Sequence, residues 1–207
     1  MTIVIGKGGR QMTQARELMV AGAADMLRRR GLNATTVREL AKYSGAPLGS
    51  TYHYFPGGKS QLAAEAVEFA DAYITRMLRA ELAAGPVAGL RSFVALWRTV
   101  VLDNDFRAGC PVLAVSVEEQ PETDDAPRRA AAAAFDRWID LIAGSLREHG
   151  AHESDAHATA TAIVAAIEGT VAMCRAQRST AALDHTADAL EVLVRRTLGD
   201  GHSLDQS

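Results

Sequence analysis

Residues 35–59 constrain the fold of this chain more than any other stretch. Thr36 and Glu39 stand three residues apart, which is the spacing of a capping box at the start of a helix. Gly45 favours the left-handed conformation in which a first helix ends, and Pro47 suits the first turn of a second helix. Two short helices joined by a turn of three or four residues make a helix-turn-helix unit, which the sequence therefore predicts.

The composition of the second short helix predicts a surface that lies against a ligand. Its side chains are small, hydroxylated or aromatic, and Lys59 follows just beyond it. The major groove of DNA is wide enough to admit such a helix. Residues 47–55 contain no Arg, Asn or Gln. We therefore expect affinity for DNA to depend mainly on phosphate contacts and DNA shape.

The charge of the chain is unevenly distributed. The net charge of −3 over 207 residues argues, taken alone, against a nucleic-acid-binding protein. Residues 1–60, however, hold nine Lys/Arg and three Asp/Glu, a net charge of +6, whereas residues 61–207 hold 13 and 22, a net charge of −9. This asymmetry predicts one end that faces DNA and another that avoids it.

The same stretch resembles the DNA-binding domain of the TetR family of transcriptional regulators. The run from Tyr52 to Pro56, followed by Lys59, is similar to the family's recognition helix and its exit. The likeness covers about the first third of the chain. Gly57-Gly58 makes the exit one residue longer than the commonest family pattern. Together with the run from Gly109 to Val112, this exit resembles the LmrA/YxaF-like branch.

Candidate DNA contacts follow from position and residue type. The start of a helix can hold a phosphate, a glycine allows close approach, and a leucine can contact a thymine methyl group. For Phe55 we favour a core position, and the ring of Tyr52 is open to the same alternative. The resemblance singles out Tyr52, Tyr54 and Lys59. The predicted DNA-binding residues are Thr36, Arg38, Leu48, Gly49, Ser50, Thr51, Tyr52, His53, Tyr54 and Lys59.

The rest of the chain predicts helices only. No segment shows the period-2 alternation of a strand, so we predict an all-α protein of about nine helices. We expect a three-helix helix-turn-helix domain at 1–58, a helical ligand-binding and dimerisation domain at 59–200, and a disordered tail at 201–207. The first 12 residues are predicted to be a mobile arm. The helices are predicted at 13–30, 36–43, 47–53, 59–84, 86–102, 110–119, 127–148, 154–177 and 183–198.

The helix predicted at 154–177 is rich in Ala and Gly, and small residues let two helix backbones approach closely. With the helix at 183–198 it could form a four-helix contact with a second copy of the chain, or a buried pair within one chain. The resemblance favours a homodimer, because TetR-family regulators dimerise through their last two long helices.

Aromatic residues of the middle helices form the second candidate site. Periodicity alone favours plain core packing over a pocket. The resemblance implies instead a pocket for a small lipophilic effector, whose binding releases a repressor from its operator. The predicted effector-binding residues are Phe93, Trp97, Cys110, Val112, Phe135, Trp138 and Met173. We expect no cofactor.

Rival chemistries have weak support in the sequence. Gly58-Lys59-Ser60 imitates the end of a phosphate-binding loop, but that motif requires Gly where His53 stands. A nucleophile-elbow pattern is missing. A group of His and acidic residues (His149, His152, Glu153, Asp155 and His157) is interpreted as a solvated linker and not as a metal site. We therefore predict that the chain is not an enzyme; a ligand-independent DNA-binding or architectural protein is the alternative function.

The sequence also predicts a cytoplasmic protein. Residues 1–12 lack the apolar run of a secretory signal, and no stretch approaches the roughly 20 apolar residues of a membrane span. Cys110 and Cys174 do not make a disulfide framework and are interpreted as buried thiols, with a redox sensor as the alternative.

Overall fold

A computed structural model describes residues 7–43, 48–120 and 124–199, and these residues form nine helices and no strand. The prediction of an all-α protein with about nine helices is confirmed. In chain order the helices are α1 (Lys7–Arg30), α2 (Val37–Tyr43), α3 (Leu48–Tyr54), α4 (Gly58–Leu82), α5 (Pro86–Asp103), α6 (Pro111–Ser116), α7 (Ala126–Glu148), α8 (Glu153–Gln177) and α9 (Ala181–Thr197).

The start of α1 corrects one prediction. The helix begins at Lys7, so the mobile arm predicted for the first 12 residues is wrong for residues 7–12. Gly8 and Gly9 each weaken a helix by roughly 1 kcal/mol, but no proline ends it there. Residues 1–6, the predicted turn at 44–47 and the predicted tail at 201–207 lie outside the described residues.

The chain divides into two compact units. Unit 1 comprises Met1–Ala70 with Pro111–Ala132, and unit 2 comprises Asp71–Cys110 with Ala133–Ser207. Helices α4 and α7 therefore contribute residues to both units. The domain boundary between residues 58 and 59, which separates the helix-turn-helix domain from the ligand-binding and dimerisation domain, stays a prediction.

The apolar face of α1 lies in the core of unit 1. The buried apolar residues of α1 recur at intervals of three and four residues, which places them on one face of the helix. In this unit α1 packs against α2 and α6, and α2 packs against α3. The buried apolar side chains include Met19, Ala23, Met26, Leu27, Leu32, Leu40, Ala41, Phe55, Leu62, Ala63, Ala66 and Val67.

Glu118, which follows α6, holds the turn after α1. The backbone amides of Leu32 and Asn33 donate to its two carboxylate oxygens at 2.7 Å and 2.6 Å. Gly31 lies between α1 and this contact with φ +80°, and a Cβ atom there would come within 1.9 Å of Glu118 Oε1. Glycine is therefore favoured at position 31 both by its backbone conformation and by the nearby carboxylate.

Unit 2 packs around α8, which contacts α5 and α9, while α5 also contacts α9. By length and composition α8 could cross a membrane, but half of its most apolar window is buried within the fold, as in the core helix of a globular protein. In the same unit, the buried carboxylate of Asp71 accepts hydrogen bonds from Trp138 Nε1 at 2.9 Å, Arg137 Nε at 2.8 Å and Thr75 Oγ1 at 3.0 Å. Both of its oxygens thus accept at least one hydrogen bond.

Gly31→Ala should destabilise the protein more than an alanine at another left-handed glycine. Gly150 is the control, because its φ is +100° and no atom lies within 4 Å of a Cβ built there. Gly150→Ala should cost about 1–2 kcal/mol for the left-handed backbone alone. Gly31→Ala should cost about 1–3 kcal/mol more, since it displaces a carboxylate that accepts two amide hydrogen bonds. Urea unfolding of both variants measures the difference; equal losses would contradict the role given to Glu118.

Candidate nucleic-acid interface and the core of the second unit

The two faces of α3 have opposite environments. Thr51 and Phe55 lie four residues apart, so they share one side of the helix, and both are 1% exposed. The amide of Phe55 donates to the Thr51 carbonyl oxygen at 2.9 Å, which continues the helical bonding past Tyr54. Gly49 and His53 are exposed, and Tyr52 is 56% exposed. The helix therefore offers a glycine, a histidine and a tyrosine to a ligand.

Arg16 of α1 covers the buried ring of Phe55. The Arg16 guanidinium carbon lies 5.1 Å from the ring centroid, and Nη2 pairs with Glu65 Oε2 at 2.5 Å. A cation over an aromatic face is attracted by the ring quadrupole. The core position that we favoured for Phe55 is confirmed. The corresponding alternative for Tyr52 is wrong, because its side chain is on the exposed side of α3.

Thr51 is the one predicted DNA-binding residue whose side chain is too deeply buried to contact DNA. We assigned it to phosphate binding on residue type, but its side chain faces the interior of unit 1. Tyr54 is half-buried, and its ring lies 5.7 Å from that of His53. The side chains of Leu48 and Ser50 lie outside the described residues, so their contacts with bases stay a prediction.

The start of α2 shows half of the predicted capping box. The amide of Glu39 donates to Thr36 Oγ1 at 3.2 Å, as the motif requires. The Glu39 carboxylate does not cap an amide; it accepts a hydrogen bond from the Thr36 hydroxyl at 2.9 Å. Thr36 and Arg38 are both exposed beside this contact.

Thr36 and Lys59 come together although 22 residues separate them in the sequence. Both line one narrow cleft, which Val37 and Leu62 also line. Helix α4 begins at Gly58, and the amide of Gly57 donates to Gln61 Oε1 at 2.9 Å. The start of α2 and the start of α4 therefore meet at one edge of unit 1.

Positive charge is concentrated near these residues. Among the described side chains of residues 14–60, four arginines (Arg16, Arg28, Arg29 and Arg30) pair with Glu65, Asp25 or Glu39. Arg38, Lys42 and Lys59 form no ion pair with another described residue. These three cations remain available for an anionic partner such as a DNA phosphate.

Four of the predicted effector-binding residues form an aromatic cluster in unit 2. The ring of Phe93 lies 6.3 Å from Trp97 and 6.3 Å from Trp138, and Phe135 lies 5.6 Å from Trp138. Phe93, Trp97 and Trp138 are buried, and Phe135 is half-buried. Edge-to-face contacts of this kind stabilise an apolar core.

The remaining predicted effector residues lie in different surroundings. Cys110 is buried in unit 2, whereas Val112 is buried on α6 in unit 1, so its grouping with the aromatic cluster stays a prediction. Met173 is 49% exposed on α8, and its predicted place in an interior cavity is wrong. It lies next to exposed Ala172 and four residues after exposed Gly169, on the outward face of the helix.

One pocket in the apolar core beside this cluster is closed in this structure. A pocket lined by Leu78, Leu82, Pro86, Gly89, Leu90, Phe93, Ile142 and Ile163 has no volume for a water-sized sphere. At this position the side chains pack as an ordinary protein interior.

Three described side chains of unit 2 bury polar atoms that lack a hydrogen-bond partner: Trp97 Nε1, Ser145 Oγ and both carboxylate oxygens of Glu168. Burial raises the pKa of Glu168 from 4.5 to about 8, while the nearby Cys110 thiol acts in the opposite direction. The Cys110 thiol is close enough to act on the Glu168 carboxyl, but neither carboxylate oxygen has a hydrogen-bond partner. Sequence reasoning missed this residue, and its signal was an acidic residue in the Ala-rich apolar middle of a helix whose other acids, Glu153 and Asp155, lie in its first turn.

No metal centre is present in the described part of the chain, where no group of three or more His, Cys, Asp or Glu could hold an ion. The His149 ring nitrogen Nδ1 lies 2.8 Å from the Ser145 carbonyl oxygen, as expected for a histidine next to the end of α7.

Comparisons with known proteins point to one family. Residues 19–66 match the family of bacterial regulatory proteins called the tetR family, and residues 86–189 match the C-terminal domain of LmrA/YxaF-like transcriptional regulators. An uncharacterized HTH-type transcriptional regulator of Mycobacterium tuberculosis is 42% identical over 177 residues, which are 84% of this chain and 90% of the relative. The HTH-type transcriptional regulator LmrA of Bacillus subtilis is 29% identical over 184 residues, 88% of this chain and 97% of that protein.

Solved structures show the same fold. The regulatory protein TetR from Rhodobacter sphaeroides has a TM-score of 0.77 and 24% identity, over 86% of this chain and 98% of that one. A TetR transcriptional regulator from Chloroflexus aurantiacus has a TM-score of 0.72 and 24% identity, over 91% and 98% of the two chains.

Glu168→Gln should change how the stability of the protein depends on pH. The pKa of Glu168 is higher in the folded state, about 8, than its usual 4.5, so the folded state retains a proton that the unfolded state releases. The contribution of Glu168 to the free energy of unfolding is fully present below pH 4.5 and is lost as the pH rises to about 8. The loss is at most about 1.4 kcal/mol per pH unit.

Because Gln stays neutral, the variant should gain stability relative to the unaltered protein between pH 5.5 and pH 7.5, as measured by urea unfolding. Glu153→Gln, at an exposed position of the same helix, should not produce this pH-dependent gain. Parallel curves for Glu168→Gln and the unaltered protein would contradict a buried neutral carboxyl.

Proposed function

Because the chain belongs to the TetR family of transcriptional regulators, in its LmrA/YxaF-like branch, we propose that it is a homodimeric repressor that a small lipophilic ligand releases from operator DNA. The observation that carries the proposal is the exposed face of α3, flanked by two side chains suited to hold phosphate. We place the protein in the cytoplasm, without a cofactor or a membrane partner.

The exposed face of α3 enters the major groove in this proposal. Gly49 has no atom within 4 Å of a Cβ built there, so the backbone can approach the base edges. Tyr52 and His53 extend from the same exposed side and reach phosphates. Few groups here can read a base by paired hydrogen bonds, so shape and phosphate contacts provide most of the affinity.

Thr36, Arg38 and Lys59 hold the DNA backbone beside α3. Lys59 and Thr36 line the same cleft, so one phosphate can contact both. The Thr36 hydroxyl donates to Glu39 in this structure, and a phosphate would take over that hydrogen bond. The ammonium of Lys59 and the guanidinium of Arg38 supply the positive charge that the Glu39 carboxylate opposes.

Dimerisation uses the outward faces of α8 and α9. Small residues on α8, namely Ala158, Ala165, Gly169 and Ala172, are exposed, and half-exposed Met173 and Val192 add apolar surface. Small side chains let the helices of two copies approach closely. A two-fold pair presents α3 to two half-sites about one turn of DNA, roughly 34–36 Å, apart.

Release from DNA depends on the aromatic core of unit 2. The protein has one form that binds DNA and one that does not. A ligand causes release only if its affinity is higher for the form that does not bind DNA. Phe93, Trp97, Phe135 and Trp138 offer an apolar environment for such a ligand. Since the neighbouring pocket is closed here, the ligand must open this core to enter.

Lys59→Ala should weaken DNA binding and its dependence on salt. On a duplex carrying the promoter beside the protein's own gene, each lost phosphate contact should reduce the log–log salt slope by about 0.9 per protomer. Tyr52→Phe should weaken binding without lowering the slope, because the lost hydroxyl is neutral and displaces no counterion from a phosphate. Fluorescence anisotropy between 50 and 200 mM salt measures both.

Arg79→Ala is the matched control, because it removes an exposed cation from the same helix α4 but in unit 2. It should leave the affinity and the slope unchanged. An unchanged slope for Lys59→Ala would remove that residue from the interface. Absence of any gel shift in the unaltered protein would count against DNA binding, and a shift that lipophilic compounds never reverse would favour a ligand-independent protein.

Gly169→Glu should shift the protein from dimer to monomer. No atom lies within 4 Å of a Cβ built at Gly169, so the new side chain does not disturb the fold of its own chain. It would place a carboxylate in the proposed interface. Gly144→Glu, also inside a helix and with its nearest atom 3.8 Å away, should remain a dimer. Light scattering after gel filtration measures both, and a dimeric Gly169→Glu protein would contradict this interface.

A further inference from the structure

Unsatisfied polar atoms mark a position inside unit 2. Among the described residues, the buried side-chain atoms without a hydrogen-bond partner belong to Trp97, Ser145 and Glu168, all in this unit. Buried polar groups are paired in nearly all native proteins, so each exception calls for a physical explanation. Glu168 is the most costly exception, because both of its carboxylate oxygens lack a hydrogen-bond partner and the residue is only 3% exposed.

Glu168 lies on the buried side of α8 with the Cys110 thiol nearby. The residues of α8 closest to it in the sequence that are also buried are Ile167, Thr170 and Val171, and Val164 is buried one turn before it. The Cys110 thiol is the nearby titratable group, from the segment that precedes α6. A Cβ at Gly109 would lie 3.1 Å from Arg175 Cδ, so the glycine allows this segment to pack closely against α8. Trp97 belongs to α5, which also packs against α8.

The charges of unit 2 favour a cation at this position. No Lys, Arg or His is buried among the described residues, so an anionic ligand would find no buried counter-charge there. The other buried carboxylate, Asp71, already accepts hydrogen bonds from Trp138, Arg137 and Thr75. Glu168 is thus the buried acid whose oxygens are still open to a donor.

We propose that Glu168 anchors the effector and that the effector is a lipophilic ammonium, an apolar body that carries a protonated amine. The proposal rests on the ligand-responsive function above and specifies the chemistry of that ligand. Binding releases the proton of the neutral Glu168 carboxyl to solvent, and the ammonium then supplies both the counter-charge and the hydrogen-bond donors for the carboxylate that forms. The aromatic residues of unit 2 receive the apolar body, and an indole face attracts the cation.

Three ligands with one body and different head groups test the proposal: 6-phenylhexylammonium, 6-phenylhexanol and 6-phenylhexanoate. The chain has two tryptophans, Trp97 and Trp138, and both lie in the aromatic cluster, so the intrinsic fluorescence of the full-length protein without DNA reports binding. The cost of opening the core is common to the three ligands. We expect the ammonium to bind roughly tenfold to a hundredfold more tightly than the alcohol, and the carboxylate to bind most weakly.

Glu168→Gln should remove the preference for the ammonium while it retains the alcohol. Glu153→Gln, at an exposed position of the same helix, should keep the preference. The ligand series on the unaltered protein decides the question even if Glu168→Gln does not fold. Equal binding of the three ligands, binding of none, or a preference that survives in folded Glu168→Gln would overturn the proposal.

Gel shifts with the same preparations separate this proposal from the function on which it rests. A shift that a neutral or anionic lipophilic compound reverses, without any preference for ammonium, overturns the ammonium site and leaves the ligand-released repressor intact. Loss of any DNA shift contradicts the repressor, whatever the fluorescence shows.

Discussion

The burial of Phe55 determines which side of α3 remains available for a partner. Because Thr51 lies one helical turn before it, both side chains enter the interior of unit 1, and the opposite side carries Gly49, Tyr52 and His53. Arg16, paired with Glu65, lies over the ring and holds it from the side of α1. A rotation of α3 about its axis would expose Phe55 to water at a cost of about 1.5–3 kcal/mol, so the proposed DNA contacts depend on this one buried ring.

Among its described residues, unit 2 contains two buried carboxylates with different environments. Asp71 accepts hydrogen bonds from an indole, a guanidinium and a hydroxyl, which suits a charged group that stabilises the fold. Glu168 has no such donors, and burial holds its pKa near 8, so it stays protonated at neutral pH. A neutral acid is tolerated in an apolar core, and it becomes an anchor when a ligand brings the missing donor and charge. The contrast separates a structural carboxylate from one suited to recognition.

Local patterns predicted the parts of this protein that neighbouring residues determine. The helix predicted at 154–177 is Glu153–Gln177, and Phe55 has the core position that we favoured for it. Contacts between distant residues left no local signal: the Glu118 carboxylate reaches amides 85 and 86 residues away. The same holds for the cleft that Thr36 and Lys59 share. Met173 was placed inside because α8 is apolar on nearly every face, and periodicity cannot then distinguish the inward face from the outward one.

Hydroxyl-radical footprinting of the operator by the unaltered protein tests the central claim most directly, because it reads where paired copies of α3 meet the duplex. The account predicts two protected windows on one face of the DNA, separated by about one helical turn, roughly 10 base pairs. A single protected window, or protection spread evenly along the duplex, would show that the exposed face of α3 is not presented by a two-fold dimer.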